Sequence, residues 1–113
     1  MVKILVVDDD NDLRATIADA LSSSGFLVEE APNGSEAIDK IRSSQYDIAI
    51  VDMVMPRLTG LDVLSEIKKI SPWTKVIFVT AFATIDNAVE AMKRGASDYI
   101  KKPFRLWELL INS

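Results

Sequence analysis

Residues 4–12 read ILVVDDDND, four apolar residues running straight into four acids within five positions. The apolar part has the length and branching of a strand buried on both faces. The acidic part is unfavourable as it stands. Two unit charges about 4 Å apart repel by roughly 4 kcal/mol at an effective dielectric near 20, so carboxylates gathered at a strand end need solvent or a counter-ion.

Outward from this stretch, short β-branched runs alternate with segments of helical period. KILVV (3–7), FLVEE (26–30), DIAIV (47–51), KVIFVT (75–80) and SDYIK (97–101) read as five strands bounded by turn residues. Between them Leu13, Ile17, Ala20 and Leu21 recur at helical spacing up to Gly25, and Ala37, Ile38 and Ile41 follow the turn PNG. Leu61, Leu64 and Ile67 come after Gly60. Ile85, Ala88, Val89 and Met92 stop at Gly95, which suits a left-handed residue after a helix, and a fifth helix is expected from near Arg105. Strict alternation of strand and helix predicts an α/β domain: a five-stranded, mainly parallel sheet covered by helices on both faces.

Composition bounds the function. The chain has 113 residues, 49% of them hydrophobic, with four Gly and four Pro, which fits one domain over residues 1–113. A net charge of −4 argues against direct nucleic-acid binding, which needs clustered Lys and Arg. With no Cys there is no disulfide framework, thiol nucleophile or thiolate metal site, and with no His there is no phosphohistidine. The first apolar run is far shorter than a secretory or membrane segment, so no membrane association and a cytoplasmic location are expected.

In open α/β sheets, ligands sit outside the carboxyl ends of the strands. Those ends carry Asp8 and Asp9, Asp52, Thr80 and Lys102: three carboxylates, a hydroxyl and an ammonium. A nucleotide site would instead need a Gly-rich turn after the first strand. Oxygen donors without His or Cys suit a hard cation such as Mg²⁺. A cation held by Asp8 and Asp9 would bridge to a phosphoryl oxygen, with the ammonium and hydroxyl covering other oxygens, and Asp52 would be the nucleophile that forms an acyl phosphate.

VVDD, VDMVMP, VTA and KKPF, at separations of 43 residues from Asp9 to Asp52, 28 to Thr80 and 22 to Lys102, closely resemble the receiver domain of two-component response regulators. The resemblance implies a flavodoxin-like three-layer sandwich of strand order 2-1-3-4-5. It implies that Asp52 accepts a phosphoryl group from a sensor histidine kinase or phosphotransfer protein. Asp9 becomes a direct Mg²⁺ ligand, Asp8 a largely water-mediated one, and the backbone carbonyl of Val54 a further contact. Lys102 pairs with the phosphoryl group beside Pro103, and Thr80 with Tyr99 forms a switch that alters dimerisation or an output domain through the fourth helix, fifth strand and fifth helix. Residues 83–104 look like receivers attached to sigma-54-dependent transcriptional activators. The short last segment, RLWELLINS, suggests a fragment truncated in its final helix.

Plainer readings stand beside these. Asp10 and Asp12 suit a helix N-terminus better than a metal site. Tyr99 alone would pass for a half-buried strand aromatic, and Met55 for a space-filler beneath Pro56. In the last helix Leu106, Leu109 and Leu110 read as core. Trp107 and Ile111 share another face, which either covers the sheet or forms an interface. Apolar Val54 and Phe82, where many relatives are polar, are expected to slow loss of the phosphoryl group by hindering an in-line water. An enzymatic alternative is a metal-dependent phosphatase of the haloacid-dehalogenase type, with Asp8 as nucleophile in Asp8-x-Asp10. A receiver that never turns over is a weaker third reading.

Overall fold

The computed structural model describes residues 1–80 and 85–101. Its centre is β1 (Lys3–Val7), in which Ile4, Leu5, Val6 and Val7 are all buried because the strand has sheet on both sides and helices on both faces. Along it follow α1 (Asn11–Ser23), β2 (Leu27–Ala31), α2 (Gly34–Ser43) and β3 (Ile48–Asp52). The order continues with α3 (Gly60–Ile70), β4 (Lys75–Thr80), α4 (Ile85–Lys93) and β5 (Asp98–Lys101). All pairings are parallel and the strand order is 2-1-3-4-5, the expected flavodoxin-like arrangement.

Strand alternation divides the core in two. Ile4 and Val6, Ile48 and Ile50, Ile77 and Val79 point to one face, where Ile17 and Leu21 of α1 cover them. Leu5 and Val7, Ala49 and Val51, Val76 and Phe78 point to the other, under Ile41 of α2, Val63, Leu64 and Ile67 of α3, and Ala91 of α4. The sheet is thus buried from both sides.

Caps explain where the elements begin and end. Asp10 is the N-cap of α1, its carboxylate accepting from the amides of Asp12 and Leu13, as its place in the acidic run predicts. Asn33 caps α2, and Thr59 with Asp62 forms a capping box on α3. Three strands, β2, β3 and β5, start one residue later than the periodicity suggests. The Phe26 amide is spent on the carbonyl of Leu21, closing α1 after Gly25 at φ 97°, so β2 begins at Leu27. β3 runs on to Asp52, which pairs with Val79. The apolar stripe of α4 also differs from expectation: Val89 and Met92 are exposed, and small Ala91 faces the sheet instead.

Candidate metal and phosphoryl site

Register builds the site. Val7 lies opposite Val51 in the parallel β1–β3 pair, so the next residues, Asp8 and Asp52, emerge side by side where the strand order reverses. Asp9 follows in the turn to α1, and carboxylate oxygens of Asp8, Asp9 and Asp52 all lie within 4.8 Å of one another. Asp8 and Asp52 are only 1% and 7% exposed, while Asp9 faces solvent. The site therefore has a buried floor and an open side.

Local hydrogen bonds hold these side chains. Asp8 Oδ1 accepts from the Asp10 amide at 2.9 Å, and Asp52 Oδ1 accepts from the Val54 amide at 3.2 Å. The Asp8 amide donates to the carbonyl of Ala31 at the end of β2. Three carboxylates this close repel one another unless solvent or positive charge offsets them. Their all-oxygen donor set suits a hard divalent cation, so these residues could hold a metal ion.

Thr80 is the last residue of β4, fully buried, and pairs with Lys101 of β5. Tyr99 is half-buried with its hydroxyl oxygen inside, and its ring meets Phe78 edge-on at 6.4 Å between centroids. Val54 is exposed in the β3–α3 loop, whereas Met55 is buried beneath it, the space-filling place its sequence context suggests. Phe82, Lys102, Pro103 and the expected last helix with Leu106, Trp107, Leu109, Leu110 and Ile111 lie outside the described residues.

Three features were not visible in the sequence. Arg14, one turn into α1, donates from Nη1 to the carbonyl of Asp8 and from Nε to Glu30. Gly60 opens α3 directly against Asp52, where an added Cβ would stand 2.7 Å from its carbonyl oxygen. A cleft of about 420 Å³ adjoins Asp9 between Asn33 and Ser35 on one side and Pro56, Arg57 and Leu58 on the other.

Comparison with known proteins agrees with this geometry. The family model for the response regulator receiver domain matches residues 4–112. Response regulator MprA of Mycolicibacterium vanbaalenii is 40% identical over 109 residues, covering 96% of this chain and 47% of that protein. The chain thus spans about half the length of the curated relatives it matches. A response regulator receiver domain protein from Clostridium thermocellum superposes with a TM-score of 0.90 at 39% identity, over 99% of this chain and 90% of that one. A response regulator from Burkholderia pseudomallei, whose crystal structure holds a phosphorylated aspartic acid, a calcium ion and citrate, gives 0.94 at 28% identity over 99% and 66%. The chain belongs to the response regulator receiver domain family.

Proposed function

We propose that this receiver takes a phosphoryl group on Asp52 from a phosphohistidine of a separate sensor kinase or phosphotransfer protein, with Mg²⁺ held by Asp8, Asp9, Asp52 and the backbone carbonyl of Val54. The observation that carries this reading is the convergence of three carboxylates within 4.8 Å at the switch point of the sheet. Mg²⁺, when bound, supplies charge neutralisation between the carboxylates and the phosphoryl oxygens. The residues do the rest. The Val54 amide bonds Asp52 Oδ1 and so helps to orient the carboxylate, whose other oxygen makes the attack. As it bonds to phosphorus, the phosphorus–nitrogen bond to the donor imidazole breaks, and the imidazole keeps the electron pair and takes up a proton. Lys102 covers another phosphoryl oxygen. Burial of Asp52 removes competing water from one side of the acceptor.

The switch follows from Thr80 and Tyr99, which lie on neighbouring strands at the same edge. The Thr80 hydroxyl turns toward the phosphoryl group, and the inward position of the Tyr99 ring, packed on Phe78, is the arrangement this favours. The readout passes to the face of α4 and β5, where exposed Val89 and Met92 on α4 suit a homodimer or an output domain. No helix among the described residues is long and apolar enough to cross a membrane. We place the protein in the cytoplasm as a switch for transcription, with DNA bound by another domain.

The test is to phosphorylate the chain with acetyl phosphate and Mg²⁺ and to map the label by mass spectrometry. Label on Asp52 is expected. Label on Asp8 would contradict this reading and favour the metal-dependent phosphatase.

A further inference from the structure

The turn that carries Asp8 and Asp9 has a clamp behind it. Arg14 Nη1 donates to the Asp8 carbonyl at 2.8 Å, while Nε of the same guanidinium lies 3.1 Å from Glu30 on β2. The Arg14 side chain is only 14% exposed, so this is a fixed fork and not a waving surface cation. The carbonyl it holds belongs to the peptide between Asp8 and Asp9. Fixing that plane fixes where the Asp9 Cα, which lies in it, stands relative to Asp8 and so the point from which its side chain starts. Since the Asp8 amide is bonded to Ala31 and Glu30 is its neighbour in β2, both sides of Asp8 are tied to the end of the same strand.

We infer that Arg14, anchored by Glu30, is a positioning residue for the divalent cation: it orients the Asp8–Asp9 peptide so that both carboxylates meet Asp52. It touches neither substrate nor metal ligand oxygen, and it acts through the main chain. The inference rests on the proposed Mg²⁺ site. A planar guanidinium reaches a carbonyl and a carboxylate at once with two N–H groups, which a single ammonium at the same place does only poorly. Coulomb's law alone makes the opposite prediction for loss of the charge, because removing a positive group near a cation site strengthens cation binding.

The experiment is a Mg²⁺ titration of metal-free protein followed by amide chemical shifts of the 8–12 turn, with thermal stability in EDTA recorded alongside. Arg14→Lys keeps the charge and loses the fork, so its Kd for Mg²⁺ is expected to rise about tenfold, the size typical of disturbed outer-shell support. Arg14→Gln is expected to bind more weakly as well, against the Coulomb sign. Glu30→Gln, at a half-exposed edge-strand site, releases one end of the fork without removing Arg14, and a rise of about threefold is expected, a fraction of the full outer-shell loss. A merely structural role would lower the melting temperature in EDTA and leave Kd unchanged in the folded protein. Wild-type affinity in Arg14→Lys and Glu30→Gln, or tighter binding in Arg14→Gln, would overturn the inference while leaving the Mg²⁺ site intact. Absence of Mg²⁺ binding by the wild type would remove both.

Discussion

Val54 combines two roles in one residue. Its amide bonds the Asp52 carboxylate, and the residue is 49% exposed. Hydrolysis of an acyl phosphate needs a water held in line with the breaking bond, and an isopropyl group offers that water no hydrogen bond. Val54→Asn is expected to shorten the lifetime of the phosphoryl group several-fold, read as decay of labelled protein after the donor is removed. An unchanged or slower decay would reject this role. The acids at this scale were legible because each stands at the end of an apolar run: Asp8 after residues 4–7 and Asp52 after 48–51. Arg14 and Gly60 were not, since their partners, the Asp8 carbonyl and the Asp52 backbone, are set by the fold and not by spacing.

Between elements, the close seat of α3 on β3 explains why Gly60 stands where it does. Its amide donates to the Met53 carbonyl, and an added Cβ would meet the Asp52 carbonyl oxygen and Met53 Cα, both main-chain atoms, at 2.7 Å. Backbone yields less readily than a flexible side chain. Gly60→Ala is therefore expected to cost about 2 kcal/mol of stability, measured by urea unfolding, and to slow phosphorylation of Asp52 by displacing it. At the far side of the sheet, Tyr46 donates to Glu29 Oε1 at 2.8 Å, and Lys3 lies 3.1 Å from the other oxygen. The Tyr46 hydrogen bond, followed by Lys3, holds the Glu29 carboxyl below its ordinary value. Burial, then Glu29, pushes the Tyr46 phenol up to about 12. Stability from Glu29 is thus full above the ordinary carboxylate range and is lost as pH falls through its lowered value. That from Tyr46 is full below about pH 10 and is lost as pH rises toward 12. Tyr46→Phe should flatten the alkaline limb of urea midpoint against pH and weaken the acid limb. An alkaline limb identical to wild type would contradict this assignment. Among the described residues, strand and helix identities were readable from period alone, but several starts were not. Phe26 has strand chemistry, yet its amide serves the end of α1. The apolar residues of α4 look like a core stripe, yet Val89 and Met92 face outward because Ala91 is what fits against the sheet.

Across the whole molecule, one choice of strand order links chemistry to switching. Placing β1 and β3 side by side at the centre brings Asp8 and Asp52 together. The same order puts β4 and β5, with Thr80 and Tyr99, on the β3 side of the site. That order was legible only through the resemblance to receivers, because alternation of strands and helices predicts a parallel sheet without fixing which strands are neighbours. On the proposed switch, a change at Asp52 is expected to reach α4 and β5 without disturbing the opposite ends of the strands, where main-chain bonds join Lys3, Asp47 and Lys75. Phosphorylation is accordingly expected to shift amide resonances of residues 80 and 85–101 and to leave those of residues 44–48 in place; equal shifts in both regions would contradict this path. The central claim is that carboxylates and a divalent cation together make Asp52 a phosphoryl acceptor. Incorporation of label from acetyl phosphate, measured against Mg²⁺ concentration in wild type and Asp52→Asn, tests it most directly. Saturable, EDTA-sensitive labelling of the wild type and none in the variant is the predicted result, whereas equal labelling of both, or labelling indifferent to EDTA, would contradict the account.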